Sequence, residues 1–168
     1  MSATKKSVLL ACLIALGLVL GYIENMLHFL PLYGLKIGFS NLVVLFALYA
    51  LDAKSACCVG MLKAVLNGFL FAGLVSIVYS TLGILAALFG MIIAKKSGFF
   101  SEIGVSMAGS CLFQAGQILA ACLVLQSKAP LYYLPYLWLG AVGCGLLSGI
   151  LVRVVLKRFI IAGDRYYE

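Results

Sequence analysis

Long apolar runs alternate with short polar interruptions along this chain, and the interruptions mark out six candidate spans. They run from about Ser7 to Leu30, Ile37 to Leu51, Ser55 to Phe71, Leu74 to Ala94, Ile103 to Leu125 and Leu134 to Val155. About 20 apolar residues cross a bilayer core, which the first and the last three spans reach. The second, about 15 residues long, reaches only about 22 Å at a helical rise of about 1.5 Å per residue. Its ends must then extend to Lys36 or Asp52, or its neighbours must shield it. The interruption at Leu30–Asn41 reads LPLYGLKIGFSN. Pro31 lacks an N–H, Gly34 and Gly38 permit unusual backbone angles, and Lys36 carries charge. The stretch is read as a structured loop at a membrane face; a plain turn between two helices is the other reading.

Polar residues inside the spans are costly and therefore informative. A lysine about eight residues into a span, as Lys63 is, costs roughly 3 kcal/mol unless it pairs, snorkels or faces a cavity. Asn67 lies one turn along the same face. A structural pairing of Lys63 with Glu24 or another buried acceptor competes with a ligand role. Ser76, Tyr79, Ser80 and Thr81 give the fourth span a hydroxyl-rich half. Gln114 and Gln117 each bring an amide that hydrocarbon leaves unsatisfied, so they bond another helix, water or a ligand. Glu24, Asn25 and His28 close the first span, as a proton relay or as a solvated or paired cap. Tyr132, Tyr133, Tyr136 and Trp138 suit a membrane interface belt or stacking on a flat ligand. On the first span Ser7, Ala11 and Ala15 recur every fourth residue, as do Gly17 and Gly21, giving faces for close helix packing.

Composition settles the class. The chain has 168 residues, 65% hydrophobic and 10% charged, with a mean hydropathy of +1.18. Soluble domains average about 45–50% apolar and about 25% charged residues, so this is an all-α integral membrane protein forming one membrane domain over 1–168. The N-terminal apolar run outlasts a signal-peptide core and lacks a clear cleavage site, so it is expected to remain as the first span. The net charge of +7 reflects topology rather than nucleic acid, because the basic residues sit at the ends of apolar runs. With six spans, nine of them (Lys5, Lys6, Lys54, Lys95, Lys96, Arg153, Lys157, Arg158 and Arg165) fall on one side and only Lys36 and Lys128 on the other. The positive-inside rule then places both termini in the cytoplasm and the Leu30–Asn41 stretch outside.

That orientation collects the polar residues in the outer half. A pocket opening outward is expected there, built from Tyr33, Lys36, Asn41, Lys63, Asn67, Tyr79, Gln114, Gln117, Tyr133 and Trp138. Lys36 and Lys63 favour a ligand with an anionic group. The six cysteines lie in apolar segments with one histidine in the chain, so metal ligands are lacking and the thiols read as small buried hydrophobes, or at Cys57–Cys58 as a redox pair. No nucleotide loop, catalytic carboxylate pair, nucleophile motif or aspartate-rich magnesium site is present. Neither an enzyme nor a cofactor is indicated; a binding or transport subunit is more economical.

Several runs carry a resemblance: Leu35–Tyr49 (LKIGFSNLVVLFALY), Tyr79-Ser80 ahead of Gly83, Ile103–Ser106, Gly116-Gln117 and Tyr132–Pro135. Together they resemble the bacterial Gx transporter family, also called heptaprenyl diphosphate synthase component I. Phe113 and Gln114 stand where that family's His-Asn pair is expected, and Lys63 where an arginine is expected. The architecture is also similar to the S components of energy-coupling factor (ECF) transporters, with six helices, internal termini and an outward site under the first loop. What the resemblance implies is a multi-pass protein of the bacterial cytoplasmic membrane that binds a small, vitamin- or cofactor-precursor-like ligand. It also implies a transmembrane coupling protein and ATPases as partners, with Ala11 and Ala15 as the docking face. Two alternatives stay open: a membrane component of long-chain prenyl diphosphate synthesis, and a subunit of a flavin- or quinone-linked redox assembly.

Overall fold

The computed structural model describes residues 3–26, 38 and 40–164. These residues form helices and turns: α1 (Ala3–Met26), α2 (Asn41–Ala50), α3 (Ala53–Asn67), α4 (Leu74–Ser97), α5 (Glu102–Leu125) and α6 (Leu134–Asp164). A single π turn, Gly68–Ala72, prolongs α3, and a 3-10 turn, Ala129–Tyr133, leads into α6. Of these, α1, α3 with its π turn, α4, α5 and α6 are long and apolar enough to cross a membrane. The sequence expectation of an all-helical membrane bundle is met.

α2 differs from the span expected at Ile37–Leu51. Its ten residues cover only about 15 Å, half a bilayer core. Every residue from Val43 to Leu48 is buried, so α2 is a core helix enclosed by α1, α3 and α6 rather than a lipid-facing one. An apolar sequence on all sides suits that position, since a helix without a polar face needs to be covered all round. Charged groups hold its far end. Lys95 Nζ donates to the Leu48 carbonyl at 2.6 Å and lies 4.5 Å over the Tyr49 ring, where a cation meets the negative end of the helix dipole.

The same end of the bundle gathers most of the basic residues. Lys6 of α1 pairs with Asp52 at 2.6 Å, and Asp52 also caps α3 by accepting from the Ser55 N–H at 2.7 Å. Arg153 of α6 faces Glu102 of α5 at 3.8 Å. The helices therefore alternate in direction, with the α2–α3 turn, the end of α4 and the starts of α1 and α5 at a lysine-rich end. α6 continues past Val155 to Asp164, because its basic tail residues are good helix formers at an interface. Cys12 and Cys58 face outward rather than into the core expected for them; in a bilayer an apolar thiol sits as easily against lipid.

Candidate functional site

Close packing of α2, α3 and α4 sets the depth of the polar residues. At Gly60 a Cβ would lie 2.7 Å from Ile84 and 3.5 Å from Val44, so three helices meet at that level. One turn towards the lysine-poor end, that spacing brings up Asn41 on α2, Lys63 on α3 and Ser80 on α4. Gln117 of α5 joins them, its Cγ 3.0 Å from where a Gly83 Cβ would be. A further turn out lie Asn67 and Ser76. Glu24 and Asn25 enter from α1.

α1 contributes through its glycines. A Cβ on Gly17 would come within 3.0 Å of Lys63 Cδ, and one on Gly21 would overlap the Asn67 amide. Gly17 and Gly21 on α1 thus face Lys63 and Asn67 on α3, four-residue spacing against four-residue spacing. The missing side chains let a long lysine and an amide pass between the two helices. Asn25 Nδ2 then donates to Asn67 Oδ1 at 3.4 Å.

Two charges clamp the start of α2 from opposite helices. Lys63, 3% exposed, donates to the Ser40 carbonyl at 3.0 Å, to Ser40 Oγ at 3.1 Å and to Asn41 Oδ1 at 3.2 Å. Three acceptors match the three protons of an ammonium group. The Glu24 carboxylate accepts from the Gly38 N–H and from the Ser40 N–H at 3.5 Å. Gly38 adopts φ +95°, a left-handed conformation that favours glycine, and any Cβ there would also press on the Phe113 ring. Burial of both charges is therefore compensated by bonds to backbone and side-chain groups of Gly38, Ser40 and Asn41, not by exposure to water.

Several polar atoms at this depth have no such compensation. Ser76 and Ser80, 2% and 4% exposed, have hydroxyls with no hydrogen-bond partner among the described residues, and so does Asn41 Nδ2. Because Asn41 Oδ1 faces Lys63, its NH2 points the other way, towards Gly38 and Phe113. Buried polar atoms without partners are uncommon and mark places where water or a ligand is held.

Among the residues singled out from sequence, Asn41, Lys63, Asn67, Gln114 and Gln117 are each buried, with Lys63 bonded to Asn41. Tyr79 is buried against Ala120 and Ala121, between α4 and α5. Tyr133 and Trp138 sit apart, on the exposed side of the 3-10 turn and α6, with Trp138 Nε1 donating to the Cys111 carbonyl at 3.1 Å. Tyr132 beside them is 82% exposed, as an interfacial aromatic would be. Tyr33 and Lys36 lie outside the described residues, as do Pro31, Gly34 and His28. Ser40 and the role of Glu24 were not legible beforehand; the four-residue match between Gly17/Gly21 and Lys63/Asn67 was the available signal for the α1–α3 contact. Ala11 and Ala15 are exposed on α1, away from the polar cluster.

The fold has a known counterpart. A solved structure of the S component of a bacterial ECF transporter is 19% identical, with a TM-score of 0.64 over 99% of each chain. At that identity the likeness speaks for the fold. A comparison with curated proteins matches none of them. A sequence model of the family described as heptaprenyl diphosphate synthase component I matches residues 13–155. With the match running from the middle of α1 to the last third of α6, the chain belongs to the heptaprenyl diphosphate synthase component I family.

Proposed function

We propose that the chain is the substrate-binding membrane subunit of a small-molecule transporter of the S-component type, and that it is not itself an enzyme. One observation carries this reading: buried polar side chains from α1 to α5 gather in one half of an otherwise apolar bundle, with hydroxyl and amide atoms there unsatisfied among the described residues. A bundle stabilised by apolar packing alone has no need of such groups, which cost stability wherever they stay unpaired. The S-component fold supports the same conclusion. A coupling membrane protein with ATPases would supply the energy, docking on the exposed Ala11 and Ala15 of α1. Native mass spectrometry of detergent-purified protein tests the reading. A small molecule released on activation and lost in the Asn67→Ala and Gln117→Ala variants is the expected result; protein that carries and binds none sinks it.

A second reading has its own observation. An apolar groove of about 110 Å³ opens between α1, α2 and α6, lined by Leu13, Leu16, Leu42, Val43, Phe46 and Val152 among others. Such a groove suits a prenyl chain, in line with the family's description as a component of heptaprenyl diphosphate synthase. Chain elongation by a soluble synthase only when this protein is present would favour this reading over transport.

A further inference from the structure

We infer that the ligand of the buried polar site is an uncharged molecule, recognised through carbonyl, amide or hydroxyl groups by Asn41, Ser76 and Ser80. This rests on the binding-subunit reading above and adds the class of substrate. The inference runs against the simplest expectation for a buried lysine, which is capture of an anion. Lys63 is already engaged: among the described residues it donates to the Ser40 carbonyl, Ser40 Oγ and Asn41 Oδ1, enough acceptors for its three protons. Glu24 is likewise committed to the N–H groups of Gly38 and Ser40. Among the described residues these are the buried charged groups of that half, one of each sign, and both bind the chain itself.

Among the described residues a charged ligand at this depth would find no counter-charge to spare. Its desolvation would go uncompensated unless it pulled Lys63 or Glu24 off the start of α2, so it would bind weaker by orders of magnitude. The atoms that are available are neutral. Asn41 Nδ2 offers a donor whose direction is set by the bond its own Oδ1 makes to Lys63. Ser76 and Ser80, one turn apart on one face of α4, each offer a hydroxyl that donates and accepts. A donor on α2 and two dual-purpose groups on α4 suit a carbonyl beside hydroxyl or amide functions. Among the described residues no charged group is left over for a ligand, and the hydrogen-bonding groups at hand suit a neutral molecule.

The test uses the full chain in detergent and a small-molecule extract of the expression host. Ion exchangers divide the extract into neutral, anionic and cationic fractions, and thermal unfolding is followed with each. Only the neutral fraction is expected to raise the Tm, by several degrees, and about a tenfold rise in salt should leave that shift unchanged. Ser76→Ala and Ser80→Ala should each raise the half-saturating dose of the neutral fraction roughly three- to tenfold. Ser148→Ala deletes an equally buried, unpartnered hydroxyl on α6 and should leave the dose unchanged. Stabilisation by the anionic or cationic fraction overturns the inference while keeping the binding-subunit reading. Neutral stabilisation untouched by both α4 variants overturns the site, and no stabilisation by any fraction overturns both readings.

Discussion

At the scale of single residues the buried lysine is best understood through what it holds. Lys63→Met keeps most of the side-chain volume but leaves the Ser40 and Asn41 oxygens without their donor. Leaving a buried acceptor without its donor costs about 1–3 kcal/mol, so a fall in Tm of several degrees is expected, together with at least a tenfold loss of ligand retention. Glycine positions divide just as sharply. Gly21→Ala forces the Asn67 amide aside and should cost about 1–3 kcal/mol by overpacking. Gly140→Ala meets open space and should stay within about 0.5 kcal/mol of the parent. Thermal melts of the two variants side by side check this; equal melts would mean that α1 and α3 do not pack as described. The sequence already marked Lys63, Asn67, Gly17 and Gly21 as notable. Which of them touch was not legible, because periodicity assigns a residue to a face of its own helix and says nothing of the face opposite.

Among the elements, α2 is the one whose stability depends on others. It is too short to span, it is apolar all round, and its ends are held by Glu24, Lys63 and Lys95 from three different helices. The adjoining turn adds a pH-sensitive contact. The Lys6 ammonium, with the Ser55 N–H behind it, holds the Asp52 carboxyl down to about 2. A carboxylate with a lowered pKa stabilises the fold above its ordinary value near 4, and that contribution is lost as pH falls through about 2. Stability from this pair should therefore be level from pH 8 to about 5 and decline below about 4, and Asp52→Asn should remove that part of the acid sensitivity. Melts of both proteins between about pH 3 and 7 measure the difference. α1 has two faces with separate tasks. Its glycine face meets α3, whereas Ala11 and Ala15 point outward. Ala11→Trp or Ala15→Trp should abolish co-purification with a coupling partner and leave ligand binding intact.

For the whole molecule, the charge distribution predicts an orientation that labelling can check. Ser97 follows the basic pair at the end of α4, and Ser127 lies in the turn after α5, both exposed. In a cysteine-free background, an impermeant thiol reagent added outside intact cells should label Ser127→Cys and spare Ser97→Cys; the reverse pattern would invert the bundle. The bundle itself was legible in the chain. Runs of apolar residues admit only helices in a bilayer, since each backbone group must be satisfied within its own segment. The alternation of basic and neutral turns then orders their directions.

What the sequence alone determined is therefore the membrane class, the helical fold and the set of polar residues too costly to be accidental. Tertiary structure decided their partners. From the sequence Lys63 could serve a ligand anion or pair with Glu24 or another buried acceptor, because a sequence does not say which groups lie at the end of its side chain. The short α2 resolves this by placing Ser40 and Asn41 at the lysine's tip, and Glu24 on the N–H groups beside them. Among the described residues, with Lys63 and Glu24 bonded to the chain itself, the buried atoms left without a partner include the Ser76 and Ser80 hydroxyls and Asn41 Nδ2. Hydrogen-bond pairing across helices depends on register and on close approach at Gly17, Gly21 and Gly60. Those distances exist only when the helices are packed together.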